Sequence, residues 1–164
     1  MIEMSTTFVY TSDMSEQLTD PQLTAWRTFL TLHATLIEQL DRELATAGCV
    51  PLHWYDVLVE LVEAPNRRLR MSELASRVVL SRSTLTHLVD RLEREGLIVR
   101  ERSGTDRRGA YAVLTEQGRA ALRKAWPVYA RGIAQHFACY LSAAEVQTVT
   151  EAFTRVLDAV RSAS

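Results

Sequence analysis

The sequence predicts a mainly α-helical protein with one small β-hairpin set past the middle of the chain. Three observations carry that prediction. Apolar residues recur at three- and four-residue steps through most of the chain. The ends of those stretches carry capping residues, prolines and glycines. One pair of short apolar-containing runs, Leu97–Arg102 and Tyr111–Leu114, flanks a polar, glycine-containing link, Ser103–Ala110, as a hairpin does.

The elements follow in order. Residues 1–19 are polar and without period, an N-terminal arm. Asp20-Pro21 is a predicted N-cap with proline at the first helical position. Trp26, Phe29, Leu30, His33, Leu36, Ile37, Leu40 and Leu44 then form one stripe of a long helix closing near Gly48. Pro51 opens a second helix, striped by Trp54, Tyr55, Leu58, Leu61 and Val62 and stopped at Ala64-Pro65. A very short strand at Leu69–Met71 and a short helix at Ser72–Val78 follow.

Ser81 caps a fourth helix that ends at Gly96. The hairpin occupies Leu97–Leu114, and Thr115 caps a fifth helix with Leu122, Trp126, Tyr129, Ile133 and Phe137 as its stripe and a kink at Pro127. Ser142–Glu145 is a capping box that starts a sixth helix, apolar at Val146, Val149, Phe153, Val156, Leu157 and Val160.

This order describes a winged helix-turn-helix embedded in a helical frame. Residues 50–115 hold the winged helix-turn-helix, expected from its charge and helix face to be a DNA-binding domain. Residues 20–48 and 116–163 make a dimerisation region, because both arms carry wide apolar stripes that only each other and a second copy can cover.

Composition narrows the class. At 164 residues and 47% hydrophobic content, the chain suits one well-cored domain. No apolar run approaches the ~18 residues of a membrane span, and the first residues lack the basic and apolar regions of a secretory signal. A cytoplasmic protein with no membrane partner is expected. Cys49 and Cys139 sit in no metal or redox spacing and are expected as buried apolar thiols. Net charge is −1, but Pro65–Arg108 holds eleven arginines against six acids, a local +5. A basic middle between acidic ends is the asymmetry expected of a chain that meets a polyanion.

The chemistry is concentrated in Met71–Leu97. In the fourth helix Leu85, Leu88, Val89 and Leu92 share the core face. The other side carries Arg82, Ser83, Thr84, Thr86, His87, Arg91 and Arg94, short hydrogen-bonding groups and cations suited to base edges and nearby phosphates. Asp90 lies on the same side and is expected to be a salt-bridge partner, neutralised by Arg94 or by the hairpin arginines. At the hairpin tip, Arg107 and Arg108 are placed to reach a narrow, negative minor groove.

Residues 51–118 resemble the MarR family of bacterial regulators. The resemblance rests on Tyr55-Asp-Val-Leu58, Glu73-Leu-Ala75, Ser81-Arg-Ser-Thr-Leu-Thr86, Leu88-Val-Asp-Arg-Leu92, Glu95-Gly-Leu97, Asp106-Arg-Arg108 and Leu114-Thr-Glu-Gln-Gly118, matching in order and spacing. It implies a homodimer on double-stranded operator DNA, with each recognition helix in a major groove and each wing at a minor groove. It implies that Asp106 braces Arg107 and Arg108, and that a small aromatic or phenolic effector binds between the lobes and releases a repressor from its operator. Family wings often carry a charged or proline-bearing stretch before this aspartate, where this chain has Ser103-Gly-Thr105.

For that effector, Trp26, His33, His53, Trp54 and Asp56 of the first two helices are the candidate pocket, with Arg27 and Tyr55 nearby. A metal site is not expected, since no two histidines stand at a ligand spacing. Nor is a redox switch, because the family's sensing cysteine lies early in the first long helix and Leu23–Leu36 has none. His136 and Cys139 lack a third orienting group, so no catalytic set and no cofactor are expected. The alternatives are a redox- or metal-responsive regulator of the same fold and a winged helix that docks protein without DNA.

Overall fold

The computed structural model describes residues 18–78, 82–102 and 110–163. The expectations for residues 1–17, for the Val79–Ser81 turn and its cap, and for Asp106, Arg107 and Arg108 lie outside the described residues, as does the side chain of Arg82. The chain divides into two compact units, one ending at Leu36 and one beginning at Ile37.

Helix α1 spans Asp20–Thr46. It opens one residue earlier than expected because Thr19, not Asp20, is the cap. The side-chain oxygen of Gln22 accepts from Thr19 N at 2.9 Å, and Leu23 N donates to Thr19 O at 3.0 Å. In the first unit, Trp26, Phe29 and His33 form a ladder of rings on one side of the helix, with centroids 6.0 and 6.2 Å apart.

In the second unit α1 ends as predicted, with Gly48 at φ +61°, where a Cβ would be strained. Helix α2 (Leu52–Glu63) starts on Pro51, which has no side chain able to cap. Asp41 of α1 supplies the acceptor instead, taking Leu52 N at 2.8 Å. A 3-10 turn at Pro65–Arg67 leads to β1 (Arg68–Arg70), followed by α3 (Met71–Arg77) and α4 (Arg82–Arg94). Strands β2 (Ile98–Arg102) and β3 (Ala110–Leu114) form the hairpin, and β1 adds to β3 to make an antiparallel sheet ordered β1-β3-β2. The register sets Leu69 opposite Ala112 and Ile98 opposite Leu114. All four are buried, so one face of the pleat belongs to the core.

Helix α5 (Glu116–His136) begins where expected: the Thr115 hydroxyl accepts from Gly118 N at 3.0 Å. The same hydroxyl donates to Gly96 O at 2.7 Å, tying α5 to the end of α4. Gly118 then passes so close to the hairpin base that a Cβ would lie 2.2 Å from Leu97 O. The helix continues through Pro127. Of the predicted stripe Leu122 is buried and Tyr129 packs on the core, but Trp126 is 55% exposed and Phe137 falls past the helix end; Gly118, Ala125 and Gly132 complete the buried line. A 3-10 turn, Ala138–Tyr140, precedes α6 (Ala143–Ser162), which has the predicted capping box. Val146, Phe153, Val156, Leu157 and Val160 of α6 are exposed.

The core gathers Leu44, Leu58, Leu61, Leu74, Leu85, Leu92 and Ile98, all nearly fully buried, from α1, α2, α3, α4 and β2. Each such burial contributes roughly 1.5–3 kcal/mol. No charged or polar side chain among the described residues is buried. Cys49 is half-buried against this core, and Cys139 is exposed, so the expectation of two buried thiols fails for the second.

Candidate nucleic-acid interface

Helix α4 divides cleanly by face. Leu85, Leu88, Val89 and Leu92 are buried against α2, α3 and the sheet, as its 3.6-residue period requires. Ser83, Thr84, Thr86, His87, Arg91 and Arg94 are exposed together on the other side. The fixed apolar face holds the polar one outward, which is the presentation a groove-reading helix needs.

The carboxylates of this helix are held from the hairpin. Arg100 of β2 places Nη1 2.5 Å from Asp90 Oδ1 and 3.4 Å from Glu93 Oε2. Its backbone N–H donates to Glu93 Oε1 at 3.0 Å, and Nη2 donates to Thr86 O at 3.4 Å. Asp90 is therefore a salt-bridge partner, but Arg94 does not hold its carboxylate. Arg94 Nε donates instead to the backbone carbonyl of Asp90 at 3.3 Å. Period-two alternation contains the signal for this pair, since it puts Arg100 on the face of Ile98, the face that covers α4. A polyanion approaching α4 thus meets two carboxylates that share one guanidinium, which halves their negative charge.

The opposite face of the sheet carries a cluster that sequence reasoning missed. Arg68 stacks over the Tyr111 ring at 4.1 Å, and Arg70 Nε donates to Tyr111 Oη at 3.1 Å. Strand β1 aligns Arg70 with Tyr111. Pairing across 41 residues leaves no local pattern to read.

A second feature is a cleft of about 800 Å³ between α2, the end of α3 and α5. Of the candidate pocket residues, His53 and Asp56 line it, together with Tyr55, Glu60, Trp126 and Tyr129. Trp54 does not. It packs on the core, with its ring edge-on to His53 at 6.4 Å. Trp26 and His33 belong to the first unit and are exposed there. The α5 residues of the cleft could not be found from the first two helices alone. Asp56 is exposed at the mouth of this cleft, yet partial desolvation by its walls pushes the carboxyl above its ordinary range; His53 opposes that shift and Glu60 adds to it. Burial also raises the hydroxyls of Tyr55 and Tyr129.

Among the described residues no group of three His, Cys, Asp or Glu side chains is arranged to hold a metal. His136 has another use: its Nε2 lies 2.6 Å from Glu43 Oε1, joining the end of α5 to α1. No helix among the described residues is long and apolar enough to cross a membrane.

Against known proteins, a family model described as MarR family matches residues 50–109. The crystal structure of AbsC, a MarR family transcriptional regulator from Streptomyces coelicolor, is similar at 35% identity and a TM-score of 0.81, covering 88% of this chain and 97% of that one. Sco3205 from the same organism, a MarR family regulator solved in complex with DNA, is similar at 34% identity and a TM-score of 0.81, covering 87% and 93%. An uncharacterized HTH-type transcriptional regulator of Bacillus cereus is 32% identical over 118 residues, 72% of this chain and 77% of that protein.

Proposed function

The chain belongs to the MarR family and is a DNA-binding transcriptional regulator, and from that premise we propose that it acts as a homodimeric repressor released from its operator by a small aromatic effector. The observation that carries the DNA-binding half is the outward face of α4, where Ser83, Thr84, Thr86, His87, Arg91 and Arg94 stand exposed opposite a wholly buried apolar face. Arg82 begins that helix. In this reading α4 enters a major groove, and the hairpin carries Arg107 and Arg108, braced by Asp106, to the adjacent minor groove.

The dimer reading draws on the exposed apolar side of α6, which a second copy would cover, so that 20–48 and 116–163 form the dimerisation region and 50–115 the DNA-binding domain. The effector reading draws on the cleft beside α2 and α5, whose volume lies in the range of small-molecule sites.

Fluorescence anisotropy with DNA from the promoter beside its own gene tests this. A specific complex of two chains per site is expected, with log K falling linearly as log salt rises. A chain that forms no salt-sensitive specific complex would instead be a protein-docking winged helix.

A further inference from the structure

The cleft has a charge order that the sequence does not display. Three arginines and three carboxylates line it; Arg123 is exposed, and the other two arginines are engaged at close range. Arg119 Nη1 donates to both oxygens of Glu116, at 2.9 and 3.1 Å, and Arg77 Nη1 faces Glu60 Oε2 at 3.7 Å. Among the described residues, the His53 imidazole is the group that favours the charge of Asp56. Beside it Tyr55 and Tyr129 pack with ring centroids 5.1 Å apart and planes inclined at 58°, and Trp126 lines the same cleft. Burial keeps both tyrosine hydroxyls protonated, so the rings bring no charge of their own.

Aromatic faces are electron-rich, and a carboxylate adds a full negative charge to the same space. A ligand carboxylate or phenolate seated there would face Asp56 as a like charge, whereas a cation would be attracted by rings and carboxylate together. Resting on the effector reading above, we propose that the cleft takes a small aryl-alkyl ammonium. Its ring lies among Tyr55, Tyr129 and Trp126, and its protonated amine lies on Asp56.

Isothermal titration calorimetry of the full chain with 2-phenylethylamine, 2-phenylethanol and 3-phenylpropanoate tests the proposal, since the three share a ring and a short chain and differ in charge. The amine is expected to bind at least ten-fold more tightly than the alcohol, with the carboxylate weakest. Asp56→Asn should bring the amine to the level of the alcohol, and Asp56→Glu should keep the preference. Trp126→Leu, at a half-exposed position outside the core, should weaken amine and alcohol alike. The proposal is overturned if the carboxylate binds tightest, if the amine preference survives in Asp56→Asn, or if none of the three binds at millimolar concentration. An operator titration of the unaltered protein separates the failures: operator binding without an amine preference overturns this inference alone, and absence of operator binding overturns the regulator reading.

Discussion

Arg100 Nη1 lies 2.5 Å from Asp90 Oδ1, so a strand of the hairpin grips α4 by an acid on its outward side. Glu93 and the Thr86 carbonyl complete the grip. Partly exposed ion pairs are worth at most about 1 kcal/mol each. The larger consequence of losing this one is two unneutralised carboxylates beside a phosphate backbone. Arg100→Ala should lower stability by about 1 kcal/mol and operator affinity by a larger factor. Adding Asp90→Asn to it should restore part of the affinity. Urea titration and anisotropy on the four proteins of the cycle would show this, and additive losses would refute it.

The wing and the helix should fail differently. Arg107→Ala with Arg108→Ala is expected to weaken binding to every DNA sequence and to flatten the salt dependence by about two phosphate contacts. His87→Ala or Thr86→Ala should cost about 1–3 kcal/mol on the preferred site and relax base choice. Competition binding against single-base operator variants across a salt series distinguishes the two.

Gly118→Ala should destabilise the protein by about 1–3 kcal/mol, the range for overpacking. Its methyl would meet the Leu97 carbonyl at 2.2 Å and Leu114 Cδ1 at 2.7 Å, and the carbonyl is backbone of the hairpin base. Gly132→Ala should cost less, because the atom it meets is the far end of Leu40, at 2.4 Å. The order of the two denaturation midpoints is the measurement. The reverse order would contradict the packing described for α5.

Acid should act through Glu43. Hydrogen bonds from Gln39 and His136 hold its carboxyl below the ordinary range. A lowered folded-state pKa stabilises above the ordinary carboxylate value and loses that contribution as pH falls through the lowered one. Stability should therefore decline from about pH 4.5 downward, and Glu43→Gln should be less stable at neutral pH and less steeply acid-sensitive. Urea unfolding from pH 7 to pH 3 checks the sign.

Local rules carried most of the fold. Capping at Thr115 and Ser142, the stop before Pro65, the glycine at 96 and the buried side of α4 all depend on residues within a few positions of one another, and all are where periodicity puts them. At the start of α1, Asp20-Pro21 and Thr19 offer equally good local cap patterns, and only the reach of Gln22 decides for Thr19. The α5 stripe was misread for a different reason. Periodicity finds large apolar residues, but the buried line of this helix includes Gly118, Ala125 and Gly132, chosen for closeness of approach rather than bulk. Asp56 and His53 were legible as pocket residues because they lie on one helix. Tyr129 and Trp126 reach the same cleft from 70 or more residues away, beyond any local pattern.

The Thr115 hydroxyl takes a hydrogen bond from Gly118 and gives one to Gly96, while Thr115 N donates to Leu97 O at 3.1 Å. With Gly118 pressed on that same carbonyl, the end of α4, the base of the hairpin and the first turn of α5 are fastened at one point. Mechanically, that point is a fulcrum. A tilt of α5 would therefore bear on the end of α4 and the base of the hairpin together, because all three meet at the same hydrogen bonds.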